Sequence, residues 1–458
     1  MHTQTMTGEE LTIGWPSKNA DHTRTTTVLF ERHTRLIRNL IWLYLILWLV
    51  EGGLRRWFLP GLATPLLLVR DPLVLAIYFS AYTKNLFPAN AFYFMGLILA
   101  GFTFLNALIV GHGNPLVAIY GVRCDFLHVP LIFVMARILR KEDIIKLAKI
   151  AVMISIPYTL LLVDQFYSPQ SAWVNHGIGD SDEGAGFSGA MGHFRPPGTF
   201  SFISGPSQLY PLFTACWFAL VLARLLPAGL MLASGVAILV AIPISISRSL
   251  FLNVAIVAIV GVLALLIGGR LSIQVLVRSI LAAVLLPILA SQLPAFQEGM
   301  AAFTSRWDTA TTESGSFQAS IIDRELNDLL NPFTSADFGG LGTGYSTNVG
   351  QKILTEEVGF GAAEGEWGRL LYDNGLFLGS LLVLYRLALS GAICFAAYTA
   401  WRHRSPEALV FVAATLPQLI SGQWGQSSTL GSAVIGGGLA LAAAAHLKTS
   451  RGSSHPQY

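Results

Sequence analysis

The stretch SISRSLFLNVAIVAIVGVLALLI (Ser245–Ile267) decides the class of this chain. From Leu250 to Ile267 its one polar side chain is Asn253. A helix rises about 1.5 Å per residue, so this run is nearly as long as the hydrocarbon core of a bilayer is thick, about 30 Å. Just ahead of it, in a turn of a few residues after another apolar run, stands Arg248. The run says where the chain lives, and the arginine raises the question of what it does there.

The same pattern recurs along the whole chain. Apolar runs predict twelve spans, at about 36–52, 66–83, 91–110, 116–138, 147–166, 205–224, 227–245, 249–268, 276–294, 372–400, 406–421 and 427–446. Of 458 residues 53% are hydrophobic and 12% charged, and the mean hydropathy is +0.58. A soluble protein carries about 25% charged residues, so that class is excluded. The expected fold is an all-α polytopic membrane protein of about twelve transmembrane helices. Residues 1–35 are polar and lack the small-residue cleavage site of a signal peptide, so the first span is expected to stay as an anchor. Cys124, Cys216 and Cys394 lie in or beside apolar runs and read as packing residues, without disulfide or metal spacing.

Lysines and arginines of short loops prefer the cytoplasm. With the N-terminus inside, that face collects Arg32, Arg35, Arg38, Lys84, the dense run from Arg137 to Lys149, Arg270, Arg402, Arg404, Lys448 and Arg451. Both termini are then cytoplasmic, as a tail at 1–35 and another at 447–458. Spans one to nine occupy 36–294 with an outer loop at about 167–204, and spans ten to twelve occupy 372–446. Between them a large outer loop runs over 295–371. Loops of that length are commonly binding or lid elements. Its SIIDRELNDLL (Ser320–Leu330) and the run after Glu356 are expected to form short helices on the membrane.

Several arginines fall on the opposite side from this basic set: Arg55 and Arg56, Arg123, Arg195, Arg248, Arg306, Arg324 and Arg369. Arg248 is the sharpest case, because the charge rule disfavours it in a short outer turn. An ionisable group at membrane depth is by default a functional-site hypothesis. The ordinary explanation is a snorkelling side chain or a local ion pair, which suits Arg55 and Arg56 best. Arg386, in the middle of the tenth span, reads as a buried structural cation. Lys352 is the one lysine in either outer loop. The planar guanidinium fork matches phosphate oxygens, so the set points to a phosphorylated or diphosphorylated lipid headgroup.

In GEWGRLLYDNG (Gly365–Gly375), Glu366 and Arg369 share a face if the stretch is helical. Glu364 and Asp373 are rival proton acceptors, and an acidic residue favoured by a helix N-terminus is the plain alternative. In FRPPGTFSFISGPSQLY (Phe194–Tyr210), Arg195 and backbone N–H groups of the following helix could hold an anion, although an ordinary loop-to-helix junction has the same composition. The run FGGLGTGYSTNVG (Phe338–Gly350) lacks the GKS/T ending and the preceding strand of a phosphate loop, so no nucleotide site is expected.

Taken in order, EGGLRRWFLP (Glu51–Pro60), VRDP (Val69–Pro72), RPPGTFSFISGPSQL (Arg195–Leu209), SISRSLF (Ser245–Phe251), FGGLGTGYSTN (Phe338–Asn348) and GEWGRLLYDNGLFLG (Gly365–Gly379) resemble the bacterial O-antigen ligase and Wzy-type polysaccharide polymerase superfamily. The resemblance covers roughly residues 36–440. The EWGR stretch is closer to the polymerase branch; ligases typically show a His-Asn pair there, and Glu366 occupies the comparable place. The resemblance implies a GT-C-like, inverting, metal-independent glycosyltransferase of the bacterial inner membrane that needs no cofactor. Its donor would be a glycan on undecaprenyl diphosphate at the periplasmic face, and its acceptor a lipid-linked repeat unit. Membrane lipids, a chain-length regulator and a flippase are the implied further partners, and nucleic acid is not one.

The chemistry asks for the same residue types independently. The acceptor hydroxyl needs a base, the departing diphosphate needs preorganised cations, and a good leaving group needs no second carboxylic acid. Glu366, Arg248, Arg324 and Arg369 are the expected catalytic residues, with Arg123, Arg195, Arg306, Glu364 and Asp373 binding substrate. Two rivals remain: transfer of the glycan to a lipid A core, as a ligase does, and a flippase or secondary transporter. Transporters place charge near the midplane on broken helices and repeated halves. Here charge gathers at one face, most spans read as uninterrupted, and no internal repeat is evident.

Overall fold

Apolar runs fold as helices in a bilayer because a helix satisfies its backbone N–H and C=O groups within its own segment. The computed structural model describes residues 18–179, 184, 186–267, 281, 285–314, 330–356, 365–403 and 405–451. In chain order its principal helices are α1 (Lys18–Gly53), the short α2 (Ala63–Leu66), α3 (Arg70–Thr83), α4 (Ala91–Ile109), α5 (Pro115–Val122), α6 (Val129–Ile138) and α7 (Lys141–Tyr167). After a hairpin of β1 (Phe187–Ala190) and β2 (His193–Arg195) come α8 (Ser204–Leu222), α9 (Ala228–Ile244), α10 (Arg248–Ile267) and α11 (Pro294–Ser314). The last are α12 (Asn348–Leu354), α13 (Glu366–Arg402), α14 (Glu407–Ile420) and α15 (Ser427–Arg451).

Among the described residues seven helices are long and apolar enough to cross a membrane, or eight if the bent pair Pro60–Leu66 and Arg70–Thr83 is one span. These eight coincide with eight of the twelve expected spans. Of the other four, the run at 276–294 lies partly outside the described residues. Ser204–Leu222 has the length, but its buried face includes Ser207, Gln208, Tyr210 and Thr214, because α8 packs against protein on nearly every side. Ala228–Ile244 and Glu407–Ile420 are 17 and 14 residues long. α14 packs against α8, α10, α13 and α15, so lipid thickness does not set its length. The polar chain expected as loop from residue 295 begins instead as the helix Pro294–Ser314, and a two-stranded antiparallel hairpin sits in the segment expected as the preceding outer loop. Neither carries the hydropathy signal used to find spans.

The core is built around α8 and α15. Small residues let α15 come close to its neighbours: a Cβ at Gly431 would strike the Trp48 ring, at Gly436 the Thr415 side chain, and at Gly438 Met135. Close backbone approach is the usual basis of helix association in lipid, where water provides no drive. Helix direction alternates, so one end of the bundle collects the C-termini of α1, α4, α7, α9 and α14 with the N-termini of α3, α5, α8, α10, α13 and α15. Hydrogen bonds tie these ends together. Thr199 Oγ1 donates to Leu49 O at 2.6 Å, Arg70 Nη2 to Ser427 O at 2.7 Å, and Ser204 Oγ to Gln426 Oε1 at 2.7 Å.

At this end the glycine run has a structural task. α13 breaks at Gly375 (φ 73°, ψ 171°), a conformation open essentially to glycine alone. The break leaves carbonyls without helical partners, and the glycine run supplies them: Leu341 N donates to Tyr372 O at 2.9 Å and Gly342 N to Asp373 O at 2.7 Å. A Cβ at Gly340 would lie 2.2 Å from Gly375 N, so the two backbones can meet only as glycines. The other side of the run rests on the α4–α5 connection, with His112 N donating to Leu341 O at 3.0 Å. Residues 338–347, expected as part of a free outer loop, are therefore wedged between two helices. Ser320–Leu329 and the run after Glu356 lie outside the described residues.

Charged groups near this end also hold loops in place. Arg56 is fully buried and donates to four carbonyls, Val174, His176, Gly198 and Phe200, across the connection between α7 and α8. Arg70 pairs with Glu51 at 3.0 Å. Asp71 takes a two-pronged contact from Arg123 at 2.8 Å on each prong and one from His128 Nε2 at 2.9 Å. The VRDP motif thus works as a brace between α1, α3 and the α5–α6 junction.

Candidate functional site

Two charged centres of opposite design lie at this end of the bundle. The first is an arginine cluster built from three separate elements: Arg195 from β2, Arg248 from the start of α10 and Arg306 from α11. The turn that delivers Arg248 contains Ile246 at φ +46°, unusual for a β-branched residue and held there by complete burial. Strain of this kind costs about 1–3 kcal/mol and concentrates at working sites. The next residue, Ser247, bonds Ser207 Oγ at 3.0 Å, accepts from Leu250 N at 3.3 Å and sits 3.5 Å from Arg195 Nη2.

No ion pair to a carboxylate involves any of the three arginines among the described residues. Arg306 Nη1 donates to the carbonyls of Ser188 and Gly189 at 3.2 and 3.3 Å, while the buried Nε of Arg195 has no partner. Burial, then the charges of Arg306 and Arg248, pull the Arg195 guanidinium down to about 10. Burial and Arg248 lower Arg306 as well. At that value Arg195 still carries its proton at neutral pH. The cluster is a concentration of positive charge with donor capacity to spare.

The second centre is compensated. At the start of α13, Arg369 grips Glu366 through Nε and Nη2 at 2.8 and 2.9 Å and reaches Asp125 Oδ1 at 2.5 Å. Its Nη1 lies 3.7 Å from Asp373, which also accepts the Ser346 N–H at 3.1 Å. Arg386 bonds Glu366, stacks 3.9 Å over the Trp424 ring and donates to Leu419, Gln418 and Gly422 carbonyls. Arg386 is thus the structural cation its position suggested. All five ionisable groups are buried, and three carboxylates face two guanidiniums. Both oxygens of Glu366 are engaged, and Trp424 N–H adds a contact at 3.3 Å. Glu366 acts here as the counter-ion that fixes Arg369.

Arg369 keeps one nitrogen, Nη1, without a hydrogen bond, and the residue lines a small cleft of about 20 Å³ with Ser346, Asn348, Gly365, Gln423 and Gln426. That is room for one water. The first turn of α8 joins the two centres. Ser207 faces Ser247 and the arginine cluster, while Ser204, three residues away on the same helix face, bonds Gln426 at the cleft. Arg248 and Glu366 therefore stand at the same end of the bundle, in separate clusters.

The structure thus brings Arg195, Arg248 and Arg306 together, and separately Glu366, Arg369 and Asp373. Arg123 is in neither group, being committed to Asp71. Arg324 and Glu364 lie outside the described residues. Sequence reading passed over Asp125, Ser204, Ser207 and Gln426. For Asp125 a signal existed, since a lone carboxylate inside an apolar span needs a partner. The serines and glutamine carry no pattern and gain meaning from contact alone. No protein-family model, curated protein or solved structure matches the chain.

Proposed function

We propose that this chain is a membrane-embedded polysaccharide polymerase, transferring a growing glycan from undecaprenyl diphosphate to a lipid-linked repeat unit at the periplasmic face of the inner membrane. The observation that carries this reading is the convergence of Arg195, Arg248 and Arg306 without a carboxylate among the described residues. A site short of negative charge, placed where the helices end, suits a diphosphate at the lipid surface. The motif order quoted above supports the same reading.

In the proposed reaction the acceptor oxygen bonds to the anomeric carbon as the carbon–oxygen bond to diphosphate breaks, with inversion. The arginine cluster receives the charge that grows on the diphosphate, so no metal ion is required for that task. The acceptor hydroxyl docks at the cleft beside Arg369, and its proton passes to a carboxylate of the Glu366, Asp373 and Asp125 group. Glu366 contributes chiefly by holding Arg369 in place. Removing a donor to developing charge typically costs about 10²–10³ in rate. Arg248→Ala is therefore expected to abolish long polymer while membrane levels stay normal, with partial recovery in Arg248→Lys. Full-length polymer from Arg248→Ala would remove the basis of the assignment.

One observation favours a second reading, a lipid-linked glycan flippase or transporter. α13 is broken at Gly375 beside buried charges, as transport sites on discontinuous helices are. Proteoliposomes holding a lipid-linked oligosaccharide separate the two. Polymer growth without leaflet exchange supports the transferase, and leaflet exchange without growth supports transport.

A further inference from the structure

The opposite end of the bundle holds a crevice of about 520 Å³ between α1 and the start of α7, the size of a small-molecule site. Arg35, Arg38, Arg140 and Lys146 line it against Glu142 and Asp143, leaving two positive charges in excess. Asp143 is already occupied, 3.8 Å from Arg38 and accepting the Arg140 N–H at 3.0 Å. Trp42 forms part of the wall, with Lys146 Nζ 5.5 Å from its ring centroid. An indole beside ammonium and guanidinium groups is an arrangement suited to the headgroup level of a membrane.

What lies deeper is apolar. Arg35, Asn39, Trp42 and Ile46 follow one another on a single face of α1, and Ile46 is 54% exposed. Lys146, Lys149 and Met153 do the same on α7, and Met153 is 49% exposed. The crevice is cationic, and the helix faces that continue from it are exposed and apolar at Ile46 and Met153, which matches a phospholipid and gives a free phosphate no use for the apolar part.

We propose that this crevice binds an anionic phospholipid, with its phosphate on Arg35, Arg38 and Lys146 and its acyl chains along Ile46 and Met153. The test uses full-length protein in detergent, with native mass spectrometry of bound cardiolipin, phosphatidylglycerol and phosphatidylcholine of matched chain length. The two anionic lipids should be retained at least about tenfold more strongly than phosphatidylcholine. Arg35 and Lys146 are exposed, so Arg35→Gln with Lys146→Gln leaves the fold intact and should erase that preference. Arg35→Lys with Lys146→Arg, which keeps both charges, should preserve it. Equal retention of anionic lipid by the wild type and the double glutamine variant would overturn the proposal. So would displacement of cardiolipin by millimolar inorganic phosphate, which would make this a phosphate site.

Discussion

Replacing Arg56 by alanine would take the side-chain donor from the carbonyls of His176 and Phe200, while those of Val174 and Gly198 keep the Gln165 amide at 3.0 Å. An unsatisfied buried polar group costs about 1–3 kcal/mol, so Arg56→Ala should lose about 3 kcal/mol or more, seen as a lower melting temperature and reduced membrane levels. Arg248 is the contrasting case. It makes no ion pair among the described residues and stands beside Arg195 and Arg306, so the fold gains nothing from its charge. A guanidinium whose folded pKa is depressed, as for Arg195 at about 10, opposes folding at every pH below that value. Neutral pH is well inside that range. Arg248 is one of the charges that depress Arg195, so Arg248→Ala should relieve that opposition and leave the melting temperature unchanged or raise it, even as polymer is lost. A clear drop in melting temperature would mean that Arg248 serves the fold instead of the site.

At the scale of elements, α13 and the glycine run make one unit. The hydrogen bonds that α13 forfeits at Gly375 are recovered from Leu341 and Gly342, so neither piece is stable in this form without the other. A Cβ at Gly375 would lie 2.0 Å from Phe338 O, in addition to the strain of its backbone angles. Gly375→Ala should therefore destabilise the protein by more than the roughly 1–3 kcal/mol of backbone strain alone. Gly391→Ala, in the same helix with nothing within 4 Å of the added methyl, should be tolerated. Equal melting temperatures for the two variants would show that the break is not needed. The run was legible as a glycine-rich segment unfit for nucleotide. Its docking site was not, because the partner lies more than thirty residues away and is itself glycine.

For the whole molecule, charge is divided between the two ends. One end carries the basic crevice and Lys84, and the other carries arginines that brace loops or gather at the cluster. Under the proposed orientation a cysteine placed at Phe58, which is 66% exposed, reacts with an impermeant reagent from the periplasm. One placed at Tyr82, 74% exposed and two residues before Lys84, reacts only after the membrane is opened. The reverse pattern would invert the topology and remove the diphosphate from reach. Eight of the expected spans agree with described helices because apolar runs report contact with lipid. α8 and α14 fall short of the same hydropathy and length test because they face protein, which accepts polar and short helices alike.

Sequence by itself determined the membrane class, the places of most helices, and the arginines that stand against the charge rule, since each follows from local composition weighed against a bilayer. Only the tertiary structure decided what those arginines do. Whether a guanidinium is a brace, as at Arg56 and Arg123, a neutralised partner, as at Arg369, or a cation with no carboxylate partner among the described residues, as at Arg195, Arg248 and Arg306, depends on which acceptors the fold places beside it. Those acceptors come from distant parts of the chain, and many are backbone carbonyls, which every residue has and no sequence marks.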